Sequence, residues 1–272
     1  MVSNISVMFL SISLIISIGL PLGLVAYFYK KHRISIKSVF VGVSIFILFS
    51  QVLEKLLHYF VLMKNPQTAA LLKNPWLFMI YGGLAAGIFE EVGRYVGFKF
   101  LLKGRREWKD GIAYGIGHGG IEAILLGGIV SIQYIVYSNL INSGIFEKAL
   151  SAKVPVSMLV SIKSSLVNSS PYMFGLIGVE RMLAITFHIA LSLLVLYGIS
   201  KGKKRYLLYA IIIHAVTDFP AALYQAGKVK NMLLVESGAL VVAIIALIFI
   251  VKSKELFQRS SSEKDYINNM SN

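Results

Sequence analysis

The chain has 272 residues, of which 56% are hydrophobic and 15% charged, and its formal net charge is +14. Its mean hydropathy of +0.72 and its repeated apolar runs, each of the ~20 residues a bilayer crossing needs, exclude a soluble globular domain and predict an all-α, polytopic membrane helix bundle. The absence of cysteine excludes disulfides, thiol nucleophiles and thiolate metal ligands.

In chain order the apolar runs predict seven spans, at roughly 5–29, 36–63, 76–101, 111–137, 172–199, 206–225 and 231–251. Residues 1–252 thus form a single transmembrane domain, and 253–272 a polar cytoplasmic tail. Connections 30–37, 99–110 and 201–205, with the segment from 252, hold 17 Lys and Arg, and the opposite connections hold 7. That asymmetry follows the positive-inside rule for an N-out, C-in protein of the cell membrane. The basic balance therefore encodes topology in a lipid bilayer and excludes nucleic acid as a partner. No Lys or Arg and no small-residue cleavage site precede the first run, which reads as a retained helix. The long connection 138–171 contains a mildly amphipathic stretch, 145–167, suited to a membrane surface.

The second span carries Glu54, Lys55 and His58 in its outer half, a set able to pair locally. The third carries Glu90, Glu91 and Arg94, and Arg94 lies four and three residues after the two carboxylates, within reach of either. One carboxylate neutralised by Arg94 leaves the other as a base. The fourth holds His118 and Glu122, and the sixth His214 and Asp218, each an i, i+4 pair that sets a His beside a carboxylate. The fifth supplies His188, with Glu180 and Arg181 about two turns nearer the outer face. Small-residue stripes, Gly83/Gly87 and Gly93/Gly97 in the third span and Gly111, Gly115, Gly119, Ala123 and Gly127 in the fourth, allow close helix approach and are expected to draw these two spans together.

Glu91, His118, His188 and His214 each lie about eight to eleven residues from the basic end of their span, which is roughly 12 to 17 Å below one membrane face. Ionisable groups in a span are costly and mark function; four in one layer predict a site between helices. An aspartyl dyad needs two acids of one kind, and Asp218 is the only Asp in a span. The soluble zinc signature His-Glu-x-x-His does not occur. Three neutral imidazoles, His118, His188 and His214, suit Zn²⁺ with a fourth position left for water, and an adjacent carboxylate can take that water's proton. The same layer could also serve a transporter or ion-binding protein, or persist in an inactive relative. Transporters commonly show repeated halves and broken spans, and neither is visible in this chain.

At these residues the chain resembles the CAAX-protease and bacteriocin-processing (CPBP/Abi) superfamily, and within it more closely the YhfC family of membrane peptidases. The shared pattern is Glu90-Glu91 with Arg94 on one helix, His118 on the next and His214-x-x-x-Asp218 later, with His188 similar to the further His of metal-site members. It covers roughly residues 76–225. Two residues, Val92 and Gly93, separate the Glu pair from Arg94 where the superfamily usually has three, so which Glu is paired stays open. The resemblance implies an intramembrane metalloprotease that cleaves a membrane protein or peptide substrate. Glu91 or Glu90 would be the base and Arg94 would hold the other. His118, His188 and His214 would be zinc ligands, with Glu122 and Asp218 orienting His118 and His214 or serving as alternative ligands.

Overall fold

The computed structural model describes the backbone of residues 1–270 and side chains through Gln258. Among these residues it is all-helical, in chain order α1 (Asn4–His32), α2 (Ile36–Lys64), α3 (Pro66–Leu71), α4 (Pro75–Val96, prolonged by a π-helical turn Gly97–Leu101), α5 (Trp108–Asn142), α6 (Phe146–Leu150), α7 (Val156–Asn168), α8 (Pro171–Ser200), α9 (Arg205–Gln225) and α10 (Met232–Met270). Asn74 caps α4, its side chain accepting from Trp76 N and Leu77 N, and Pro75 follows at the first helical position, where a missing N–H costs nothing. Gly202, at φ +67°, makes the turn between α8 and α9 in a conformation that a side chain disfavours.

Among the described residues, six helices are long and apolar enough to cross a membrane: α1, α2, α5, α8, α9 and α10 through Gln258. The expected third span, α4, has 22 residues and adequate length. Its glycines and the Glu90, Glu91 and Arg94 cluster reduce its apolarity, and all three charged residues are buried inside the protein. The amphipathic stretch of the long connection divides into α6 and α7, and the polar residues after 252 prolong α10.

The chain separates into two compact units. The first comprises residues 1–23 and 120–182. Its core joins Val2, Leu10, Ile141, Phe146, Leu159, Leu166 and Phe174. The amide of Val2 donates to Asn142 Oδ1 at 2.7 Å, and Asn142 Nδ2 donates back to the Val2 carbonyl at 3.0 Å. The second unit comprises residues 24–119 and 183–272. Within it, a Cβ on Gly87 would stand 2.7 Å from the Ile211 carbonyl, and one on Gly115 would stand 2.5 Å from Ile189 Cα. Close backbone approach therefore seats α4 on α9 and α5 on α8. The glycine stripes thus face partners other than those expected: Gly83 and Gly87 meet α9, Gly93 meets Phe49 and Ile45 of α2, and Gly111, Gly115 and Gly119 meet α8. Only Gly97, beside Tyr114, brings α4 to α5.

Candidate metal centre

The close contacts of α4 with α9, and of α5 with α8, place one face of each helix at a common point in the second unit. Glu90 Oε2 occupies that point. It lies 2.9 Å from His118 Nε2, 3.8 Å from His188 Nδ1 and 4.0 Å from His214 Nε2. His118 is fully buried, and Glu90, His188 and His214 are buried. The ring centroids of His118 and His188 are 4.9 Å apart, and those of His188 and His214 5.5 Å. The depth read from the sequence thus corresponds to contact between side chains from four helices.

Glu91 has a different environment. Arg94 Nη1 donates to both of its oxygens at 2.9 Å, and His214 Nδ1 donates to Oε1 at 2.8 Å. Glu91 and Arg94 are both wholly inaccessible. Breaking such a pair leaves an uncompensated charge, so the pair is held together whatever its net contribution. The second terminal nitrogen of Arg94 donates to His188 Nδ1 at 3.0 Å. A guanidinium has donors only, so His188 accepts through Nδ1, and its neutral ring carries the proton on Nε2. His214, donating through Nδ1, turns Nε2 toward Glu90 Oε2 at 4.0 Å, with Asp218 Oδ2 at 3.5 Å.

The sequence reading leaves Glu91 or Glu90 as base, with Arg94 holding the other. The structure sets Arg94 on Glu91 and turns Glu90 to the histidines. Glu122, expected beside His118, accepts from Arg181 Nη1 at 2.6 Å. His118 Nδ1 has no hydrogen-bond partner among the described residues. Glu54 and His58 pair at 3.3 Å as expected, but Lys55 turns to Gln51, and His58 Nδ1 meets Tyr81 Oη at 2.7 Å, a partner with no sequence signal. The aromatic walls also had none: Phe46 stands edge-on to His118 at 5.0 Å, Tyr114 stacks on it at 6.0 Å, and Phe187 stands edge-on to His214 at 5.6 Å. Aromatic residues are too common in apolar spans to be singled out.

Donor atoms of Glu90, His118 and His188 all lie within 4.8 Å of one another, a spacing that could hold a metal ion. A tetrahedral zinc site with bonds near 2.0–2.1 Å has ligand–ligand edges of about 3.3 Å, and the 2.9 and 3.8 Å separations of Glu90 Oε2 from His118 Nε2 and His188 Nδ1 bracket that value. Arg94 Nε, Tyr114 Oη and His118 Nδ1 are buried without a hydrogen-bond partner among the described residues, so the centre has polar capacity beyond what those residues satisfy. The donor set, one carboxylate and imidazoles without thiolate, suits zinc and other borderline divalent ions.

No solved structure matches the chain. Its sequence is similar to the uncharacterized membrane protein YhfC of Bacillus subtilis (strain 168), with 42% identity over 258 residues, which cover 95% of this chain and 100% of that protein. The apolar helices and this relative make it a multi-pass membrane protein. A model of the YhfC intramembrane metalloprotease family matches residues 16–239, a stretch that contains every residue of the centre, and the chain belongs to that family.

Proposed function

We propose that the protein is an intramembrane zinc metalloprotease that hydrolyses peptide bonds of a membrane protein or peptide substrate. The observation that carries this reading is the convergence of His118, His188 and His214 on Glu90 Oε2. The family's description supports it, and the order Glu-Glu, Arg, His, His-x-x-x-Asp supports placement in the wider CAAX-protease and bacteriocin-processing superfamily. In the proposed orientation the N-terminus is outside, the C-terminus is in the cytoplasm, and the centre lies in the cytoplasmic half of the cell membrane.

Glu90, His118 and His188 would hold the metal, and a bound zinc would supply a Lewis acid able to acidify a water and polarise a carbonyl. His214 takes the proton. Its Nδ1–H is fixed on Glu91, so the basic Nε2 faces the centre, the geometry of a carboxylate-oriented general base. Glu91 and Arg94 position rings and do not react, because the Glu91 oxygens and the terminal nitrogens of Arg94 are engaged with each other and with His214 and His188. The nitrogen of His188 nearest Glu90 is the one Arg94 donates to, so a metal held there would take the place of that bond. Asp218, partly exposed and 3.5 Å from His214 Nε2, supports the protonated ring and is placed to pass the proton on to the leaving amine.

A second reading keeps all three histidines as ligands and makes Glu90 the base. The Glu91–His214 bond favours it, since ligating histidines commonly donate their other nitrogen to a carboxylate. Two variants separate the readings. Under the first, Glu90→Gln loses metal and His214→Gln keeps it without turnover; under the second, Glu90→Gln keeps metal without turnover and His214→Gln loses it. Turnover of a cleaved membrane substrate by Glu90→Gln would exclude both.

A further inference from the structure

Three of the Lys- and Arg-rich segments, far apart in the chain, come together in the second unit. The end of α1, the connection 102–107 with the start of α5, and the last turns of the described part of α10 enclose a cleft of about 390 Å³. Arg106, Lys109, Lys254, His32 and Trp108 line it, with Glu107 the one acidic residue among the described residues of its wall. Lys109 pairs with that Glu107 at 2.8 Å. Lys254 Nζ stands 5.9 Å over the Trp108 ring, and His32 lies edge-on to the same ring at 5.8 Å. The floor is fixed: Trp108 Nε1 donates to the Ile250 carbonyl at 3.2 Å and to Ser253 Oγ at 3.0 Å, tying the start of α5 to α10. Arg106 is fixed as well, its Nη1 donating to the carbonyls of Phe98 and Leu102 where α4 ends. On the other side of Arg106 a second cleft, of about 300 Å³, is lined by Lys99, Lys203, Lys204 and Tyr95.

A cationic cleft with a Trp floor at the ends of membrane helices has the composition of the headgroup layer, where Trp and basic residues concentrate. Basic pockets between spans take anionic headgroups. We infer that the cleft between Arg106 and Lys254 binds the phosphate of an anion, and the chemistry is shared by an anionic phospholipid such as phosphatidylglycerol and by soluble phosphate. The net positive lining prefers phosphatidylglycerol to phosphatidylcholine, whose choline cancels the charge of its phosphate. This inference is independent of the proposed proteolysis and is tested without it.

The test uses the full-length protein in detergent, offered phosphatidylglycerol, phosphatidylcholine or sodium phosphate. Retained lipid is read by native mass spectrometry and the melting temperature in parallel. Phosphatidylglycerol should be retained over phosphatidylcholine and should raise the melting temperature. Lys254→Gln should weaken retention about fivefold, the effect of one basic residue at a membrane surface, and Lys254→Arg should restore it. Lys254 is the primary probe because it closes no helix end; Arg106→Gln is added with its melting temperature as a check on folding. Displacement of phosphatidylglycerol by millimolar sodium phosphate would support the phosphate site and move its source to a soluble ion. Equal retention of both lipids, or no effect of Lys254→Gln, would overturn the inference.

Discussion

Removing the Arg94 guanidinium tests whether Glu91 is a buried, neutralised structural acid. Arg94 makes two bonds to Glu91 and one to His188, and Arg94 and Glu91 have no exposed surface. In Arg94→Gln the carboxylate keeps only His214, and breaking a buried pair by deleting one partner costs about 3–5 kcal/mol. At 2–4 °C per kcal/mol for a domain of this size, that is a fall in melting temperature of roughly 10 °C. Glu91→Gln leaves Arg94 unpaired and should cost a comparable amount. The double variant should be more stable than either single one, because it buries no lone charge. The assay is a double-mutant cycle of thermal unfolding in detergent. A coupling under about 0.5 kcal/mol, the range for independent sites, would refute the pairing and return Arg94 to Glu90.

Gly87→Val would drive a side chain into the Ile211 carbonyl and the Ala215 amide of α9, backbone atoms that cannot turn aside; we expect a loss of about 1–3 kcal/mol or more, read as a lower melting temperature. Ser13 Oγ donates to the Phe174 carbonyl at 2.7 Å and accepts from Gly178 N at 3.0 Å, so Ser13→Ala should cost about 1 kcal/mol and leave metal content unchanged. The chain has no cysteine, so single-cysteine variants need no background removal. In intact cells an impermeant thiol reagent should label Lys73→Cys and Lys153→Cys and spare Arg33→Cys, Arg105→Cys and Lys203→Cys; the opposite pattern would reverse the proposed orientation.

What the sequence revealed follows from what a membrane imposes. Helix ends lay close to the first six expected spans because apolar length must match the bilayer, and the histidines met because each helix carries its polar group at a similar distance from a basic end. The roles of Glu90 and Glu91 were not legible. Adjacent residues on a helix point about 100° apart, Arg94 reaches either by spacing, and the choice is made by α9, which brings His214 against Glu91. The glycine stripes showed that helices approach closely without naming the partner, since a missing side chain carries no identity. Glu122 shares a face with His118, yet Arg181, whose charge no spacing rule assigned to it, is the group it bonds. The structure also shows why α4 falls short of a conventional span: the charges that make the centre are the ones that reduce its apolarity.

The central claim is that Glu90 with His118 and His188 holds a metal ion. Its most direct test is metal content per chain after mild detergent purification, for the wild type beside Glu90→Gln, His118→Ala, His188→Ala and Glu91→Gln, each checked for folding. The account predicts close to one zinc per chain in the wild type, lost in the first three variants and retained in any Glu91→Gln protein that folds. A folded wild type without metal, or full metal content in His118→Ala and His188→Ala, would contradict it.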